Sequence, residues 1–171
     1  APALKEQQCL HSPKTCQSFR KSHLQRAKVS LWTEMDADFT ASLASAIPLF
    51  TQSYDRKDYV YHPDSGEKLS KEGIQTLKQT QKAWKNQSPD VQIIISDGLN
   101  ARALMDEGHL LPFLKRLQET LTEANYLISK PLLIRHGRVR AGYACGEILF
   151  GDSSDPKEIK SVIHIIGERP G

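Results

Sequence analysis

The most regular hydrophobic stretch opens at Asp90, where Val91-Gln92-Ile93-Ile94-Ile95 forms a β-branched run of the length expected for a strand buried on both faces. The polar stretch Ser96-Asp97-Gly98-Leu99-Asn100 follows, and Leu110, Leu114, Leu117 and Leu121 then recur at helical spacing. This strand, loop and helix unit repeats downstream. Pro131-Leu132-Leu133-Ile134 predicts a second strand, Arg135 to Gly142 a polar turn, Ala144 to Leu149 a short helix, and Ser161-Val162-Ile163-His164-Ile165-Ile166 a third strand. Upstream, Ser70 is placed to cap a helix over 71–86, with Glu72 near its positive end and Ile74, Leu77 and Trp84 as a buried stripe. Tyr59-Val60-Tyr61 predicts a short strand closed by the turn cluster His62-Pro63-Asp64-Ser65-Gly66. Between 18 and 52 two helices are predicted, the second carrying Phe39, Leu43, Ala46 and Ile47 until Pro48 interrupts it.

Alternating β and α elements with short links favour a parallel sheet, because crossover helices are the ordinary connection between parallel strands. The expected class is therefore α/β: a Rossmann-like, mostly parallel sheet flanked by helices, with a helical N-terminal segment. Residues 1–17 lack periodic apolar positions and read as a flexible tail, 18–56 as the helical segment and 57–171 as the α/β domain.

Length and composition narrow the function classes. One domain is expected of 171 residues, and a hydrophobic fraction of 39% with 25% charge excludes disordered and disulfide-scaffold classes. A net charge of +3 gives no basic surface for nucleic acid, and Arg20, Lys21, His23, Arg26 and Lys28 read as a solvated helix face. Cys9, Cys16 and Cys145 have neither metal-site spacing nor an even count, which suits a reducing cytosol. No stretch approaches the roughly 18 apolar residues of a membrane span. Ala1-Pro2-Ala3-Leu4-Lys5 lacks an apolar signal core, so a soluble cytoplasmic protein is expected unless a leader has been removed.

The candidate chemistry lies in the strand-end loops, since ligands of open parallel sheets bind outside the carboxyl ends of the strands. Three loops qualify: Ser96 to Asn100, Arg135-His136-Gly137-Arg138-Val139, and Gly167-Glu168-Arg169-Pro170-Gly171. Each sets a glycine beside side chains that donate or accept hydrogen bonds. Glu168 and Arg169 suit amide groups, and Arg135 and Arg138 suit carbonyl or phosphate oxygens; the alternative is that these charges pair with one another. Neither Gly-x-Gly-x-x-Gly nor a Walker lysine pattern occurs. No metal site is expected from the six scattered histidines, and His164 reads as a satisfied strand residue. Cys145 reads as a small buried hydrophobe, not a nucleophile.

Taken in order, Val91 to Leu99, the Arg135 to Val139 loop with Gly146-Glu147 a helix turn later, and Ile166-Gly167-Glu168-Arg169-Pro170-Gly171 resemble the small subunit of ethanolamine ammonia-lyase. The resemblance covers residues 57–171, and the Gly-Glu-Arg-Pro-Gly loop is its most distinctive part. It implies an adenosylcobalamin enzyme converting ethanolamine to acetaldehyde and ammonia, in which a large barrel subunit holds the substrate and the catalytic residues. The small subunit covers the corrin, as part of a hetero-oligomer without nucleic acid or membrane. By position in the motifs, Val139 and Glu168 correspond to corrin-contacting residues, with Arg138 and Arg169 as neighbours. The family also implies ethanolamine catabolism in the cytoplasm, with enclosure in a bacterial microcompartment as one setting.

Set against the family pattern, the expectation is of a divergent and C-terminally shortened member. It stops at Gly171, where members continue with a segment that adds a cobalamin contact. Gly151 to Glu158 is insertion-like, and Tyr143 and Cys145 stand in place of the usual acidic and aliphatic residues. These departures motivate an alternative expectation, a non-catalytic adaptor or small-ligand binding module that has lost cobalamin.

Overall fold

A computed structural model describes residues 13–84, 87–106, 108–151 and 160–168, with side chains from residue 21 onward. Its sheet has four strands, β1 (Ile47–Phe50), β2 (Val91–Ser96), β3 (Leu132–Arg135) and β4 (Ser161–Ile166), all parallel and in the order β1-β3-β2-β4. Eight helices accompany it among the described residues: α1 (Pro13–Trp32), α2 (Ala37–Ser42), α3 (Arg56–Tyr61), α4 (Pro63–Glu67), α5 (Lys71–Ala83), α6 (Arg102–Met105), α7 (Leu110–Glu123) and α8 (Val139–Phe150). The α/β class and the helical N-terminal part match the expectation, but the first helix begins at Pro13, within the stretch expected to be a tail, whose residues 1–12 lie outside the described residues.

The sheet is covered on both faces. Ile93, Ile95 and Leu133 pack with Leu43, Leu104, Leu110 and Leu114 on one side, where α2, α6 and α7 lie. Ile94, Leu132 and Ile134 point the other way, onto Leu77 of α5 and Ala141, Cys145 and Leu149 of α8. The two-residue alternation of strand side chains feeds both cores from one run, which is why every residue of β2 is buried.

Local signals account for several elements. Ser70 caps α5 by accepting the Gly73 N–H at 3.0 Å, and α7 buries Leu110 and Leu114 as its apolar period requires. Four expectations need correction. The helix carrying Phe39 ends at Ser42, and Ile47 to Phe50 is instead a strand paired in parallel with β3. Pro48 is tolerated there because β1 is an edge strand: Ile47 N–H donates to Pro131 O at 2.8 Å, so the alternate position turns its missing donor to the unpaired side. Tyr59-Val60-Tyr61 is helical, because Asp55 caps α3 by accepting the Asp58 N–H at 2.7 Å and overrides the weak β preference of three residues. The turn cluster after it contains α4, with Pro63 in its first turn. Helix α8 begins at Val139, five residues before the predicted Ala144, because Gly142 and the polar Arg140 obscured its first turn.

Gly142 marks where α8 presses on β4. A Cβ there would stand 2.3 Å from His164 Nδ1, while His164 Nε2 shares a 2.7 Å hydrogen bond with Ser96 Oγ. Burial lowers the His164 pKa from its ordinary 6.5, so the folded chain favours the neutral ring. The unfolded chain binds that proton more readily, so this contribution to stability is complete above pH 6.5 and is lost as pH falls below it. Urea midpoints at pH 7.5 and 5.5 should drop on acidification, and His164→Gln should flatten the difference; an unchanged slope in the variant would clear His164 of the effect.

Candidate functional site

At the carboxyl ends of the strands, the loops after β2, β3 and β4 meet Arg56 and Tyr59 of α3 in one polar edge. Beyond β2, the loops after it and after β4 are pressed together: Gly167 N–H donates to Ser96 O (3.0 Å) and Asn100 N–H donates to Gly167 O (3.1 Å). Gly98 has φ +52, and a Cβ on it would lie 2.0 Å from Gly167 O. Only glycine reconciles that backbone angle with that approach. Asn100 Nδ2 donates to Glu168 O at 3.4 Å, which carries Glu168 to the same edge with its side chain exposed.

The loop after β3 joins the loop after β2 through Asp97, which is buried and accepts the Gly137 N–H at 3.2 Å on Oδ1. Its Oδ2 faces Arg56 Nη1 at 3.3 Å, and the same nitrogen donates to Gly98 O at 2.9 Å. Arg56 is only 3% exposed and its Nε donates to Leu31 O at 2.7 Å, tying the end of α1 to the site. Burial raises the Asp97 pKa, opposed chiefly by the Arg56 charge and then by His136 and the Gly137 N–H. His136 takes the left-handed φ of 54°, and its Nε2 lies 3.4 Å from Glu34 Oε2 without hydrogen-bond geometry. Arg135 also reaches Glu34, at 3.5 Å, and so pairs with the N-terminal part.

Arg138 precedes α8, and its N–H donates to Gly66 O at 2.9 Å while Nη2 donates to Tyr59 O at 3.0 Å. Its guanidinium carbon lies 4.6 Å from the centroid of the buried Tyr59 ring, with that of Arg56 at 4.7 Å. Burial first of all pushes the Tyr59 pKa up, and Arg138, Asp97, Arg56 and Glu168 all act on its hydroxyl. Arg138 thus sits on Tyr59, while Glu168 is held at the same edge through Asn100. Val139, the first residue of α8, follows Arg138 directly and is 47% exposed. Arg169, the fourth expected site residue, lies outside the described residues.

Among the described residues, four buried polar atoms at this edge have no hydrogen-bond partner: Arg56 Nη2, Asn100 Oδ1, His136 Nε2 and Arg138 Nε. Such atoms are costly unless something else satisfies them. Asp97 and Asn100 lie in a loop that the sequence marks as a candidate without assigning them a role, whereas Arg56 and Tyr59 enter the site from a segment with no such mark. The signal for Arg56 was Asp55, a helix cap that puts Arg56 at the start of a helix and not in a loop. Cys145 sits in the core under α8, its thiol pushed up to about 12 by burial, which fits a small hydrophobe. A cavity of about 520 Å³ lies at the opposite edge, lined by Ile47, Trp84, Pro89, Leu127, Ile128 and Lys130. It lacks the converging glycine loops and buried cations of the carboxyl edge, which is the better candidate. Among the described residues, no group of three or more His, Cys, Asp or Glu is placed to hold a metal ion, and no helix is long and apolar enough to cross a membrane.

Comparison with known proteins bears on this edge. The family model for the ethanolamine ammonia-lyase light chain (EutC) matches residues 4–171. An ethanolamine ammonia-lyase small subunit from Pseudomonas fluorescens (strain Pf0-1) is 33% identical over 137 residues, covering 80% of this chain and 46% of the relative. Its counterpart from Pseudomonas syringae pv. tomato is 33% identical over 158 residues, 90% of this chain and 51% of the relative. That from Pseudomonas aeruginosa (strain UCBPP-PA14) is 33% identical over 123 residues, 72% and 41% respectively. The chain thus spans about half the length, or less, of these relatives. With the match running through all three strand-end loops, the chain belongs to the ethanolamine ammonia-lyase light-chain family.

Proposed function

We propose that this chain serves as the small subunit of an adenosylcobalamin-dependent ethanolamine ammonia-lyase, its carboxyl edge covering the corrin held with the large subunit. The observation that carries the reading is that the loops bearing Arg138, Val139 and Glu168 end at one edge, where Arg138 lies on the Tyr59 ring and Asn100 holds Glu168 O, beside buried Asn100 Oδ1 and Arg138 Nε atoms without a partner among the described residues. A corrin presents a rim of side-chain amides, each with donors and an acceptor, around an apolar ring system. The edge offers a matching set: guanidinium donors, carboxylate and amide acceptors, close backbone and one exposed valine. The residues present fit the group.

In this role Glu168 accepts from corrin amide N–H groups, Arg138 donates to amide oxygens, Val139 packs on the ring system, and Arg169 adds a second cation from the adjoining position. Bound adenosylcobalamin supplies the radical chemistry of ethanolamine deamination, with substrate and catalytic groups on the large subunit. What this chain contributes is orientation and exclusion of water. The proposal extends to a cytoplasmic hetero-oligomer enclosed in a bacterial microcompartment.

Assembly with a large subunit of the family should give cobalamin-dependent acetaldehyde formation, and Glu168→Ala should weaken cobalamin binding about 5- to 50-fold, the loss of a charge-assisted hydrogen bond or two. Full cobalamin affinity in that variant would count against its role. If hydroxocobalamin spectra were unchanged by the chain, alone and with the large subunit, the adaptor reading would replace this one.

A further inference from the structure

We propose that Tyr59 is the positioning residue for Arg138, presetting the guanidinium through its ring and its carbonyl before a ligand arrives; this rests on the corrin-facing reading above. Tyr59 is fully buried, and Arg138 meets it twice: Nη2 donates to Tyr59 O at 3.0 Å and the guanidinium carbon stands 4.6 Å from the ring centroid. The ring is itself wedged. A Cβ at Gly66 would lie 2.6 Å from Tyr59 Cδ2, and Gly66 O accepts the Arg138 N–H at 2.9 Å. Arg56, 4.7 Å from the same ring, holds Asp97, and Asp97 accepts the N–H of Gly137, the residue before Arg138. The contacts therefore close a circuit, Tyr59 to Arg56 to Asp97 to Gly137 to Arg138 and back to Tyr59.

An arginine side chain that is already ordered loses less freedom when it binds, so the circuit raises affinity without adding a contact to the ligand. The tyrosine hydroxyl has little part in this, since its only hydrogen bond among the described residues is a 3.5 Å contact to Gly137 O. The ring face is what matters, because its negative quadrupole attracts the guanidinium.

The test is hydroxocobalamin titration of the full chain assembled with a family large subunit, followed by visible absorbance. Tyr59→Phe should bind within about twofold of wild type, because the quadrupole is kept. Trifluorophenylalanine at position 59, of similar shape but with that quadrupole removed, should weaken binding about three- to tenfold relative to phenylalanine. In an Arg138→Ala background the fluorinated ring should cost no more than about twofold further, which separates positioning of Arg138 from effects passing through Arg56. Equal affinity for the phenyl and fluorinated rings, or additive losses in the double variant, overturns the proposal. A second readout works without cobalamin: the Arg138 Nε–H resonance in arginine-labelled chain should be shifted by the ring and protected from exchange, and should move toward the free-arginine position on fluorination. If that happens while Arg138→Ala leaves cobalamin affinity intact, the corrin-facing reading fails and the positioning role stands; if the resonance does not respond, the positioning role fails alone.

Discussion

Asp97→Ala is expected to destabilise the chain by about 3–5 kcal/mol, the usual cost of removing one partner from a buried ion pair. Asp97 and Arg56 are both almost fully buried, so the variant leaves a guanidinium without a counter-charge, held by the carbonyls of Leu31 and Gly98 and the Tyr59 ring. Desolvation already works against the Asp97 charge, so the pair itself adds little net stability, and the cost lies in the orphaned cation. Pairing Asp97→Ala with Arg56→Met should therefore recover a large part of the loss, because the buried charge goes with its partner. Urea unfolding of the two single variants and the double variant measures this directly. A loss under about 1 kcal/mol for Asp97→Ala, in the range of exposed pairs, would mean that solvent reaches the pair and that it does not tie the loops together. The Gly137 N–H also loses its acceptor in this variant, so Arg138 should be less well ordered and cobalamin affinity should fall with stability.

The second large effect is expected at Gly98. Alanine there faces a left-handed backbone angle and a carbonyl oxygen 2.0 Å from its Cβ, with Ile166 Cγ1 at 2.7 Å. The backbone angle costs about 1–2 kcal/mol for an L residue, and overpacking typically adds about 1–3 kcal/mol. Gly108 separates the two terms, since its φ is +79 but nothing lies within 4 Å of a Cβ. Thermal unfolding should show Gly108→Ala losing only the smaller, backbone part. The Gly98 variant should also displace the Gly167-Glu168 loop, because relief comes only by parting the two loops. Equal melting temperatures for the two variants would show that the close approach of Gly98 and Gly167 is not tight in solution.

Both predictions concern residues whose importance is unequally visible along the chain. Gly98 sits in a strand-end loop that hydrophobic patterning marks out, and its neighbour Asp97 is a polar residue at the end of an apolar strand. The resemblance to the small-subunit family singled out Arg138, Val139 and Glu168, and the fold brings these to one edge. Nothing in local pattern, however, connects Arg56 with Asp97, which lie 41 positions apart, or Tyr59 with Arg138, 79 apart. The β preference of Tyr59-Val60-Tyr61 predicts a strand where the fold has a helix, and a strand there hides the platform under Arg138. The N-terminal part was underestimated for the same reason: Leu31 and Glu34 reach the site through contacts with Arg56, Arg135 and His136 that only the fold creates.

By itself the sequence determined β2, β4, α5 and α7 and with them the α/β class, because a buried strand, an apolar helical stripe and the Ser70 cap are set by neighbours a few residues away. Tertiary structure decided that Ile47 to Phe50 is a strand, since Pro48 is acceptable only on an edge whose existence depends on β3. It likewise decided the circuit through Tyr59, Arg56, Asp97 and Arg138. Burying a charge is favourable only where distant groups arrive to compensate it, and that depends on the packed sheet and not on local spacing.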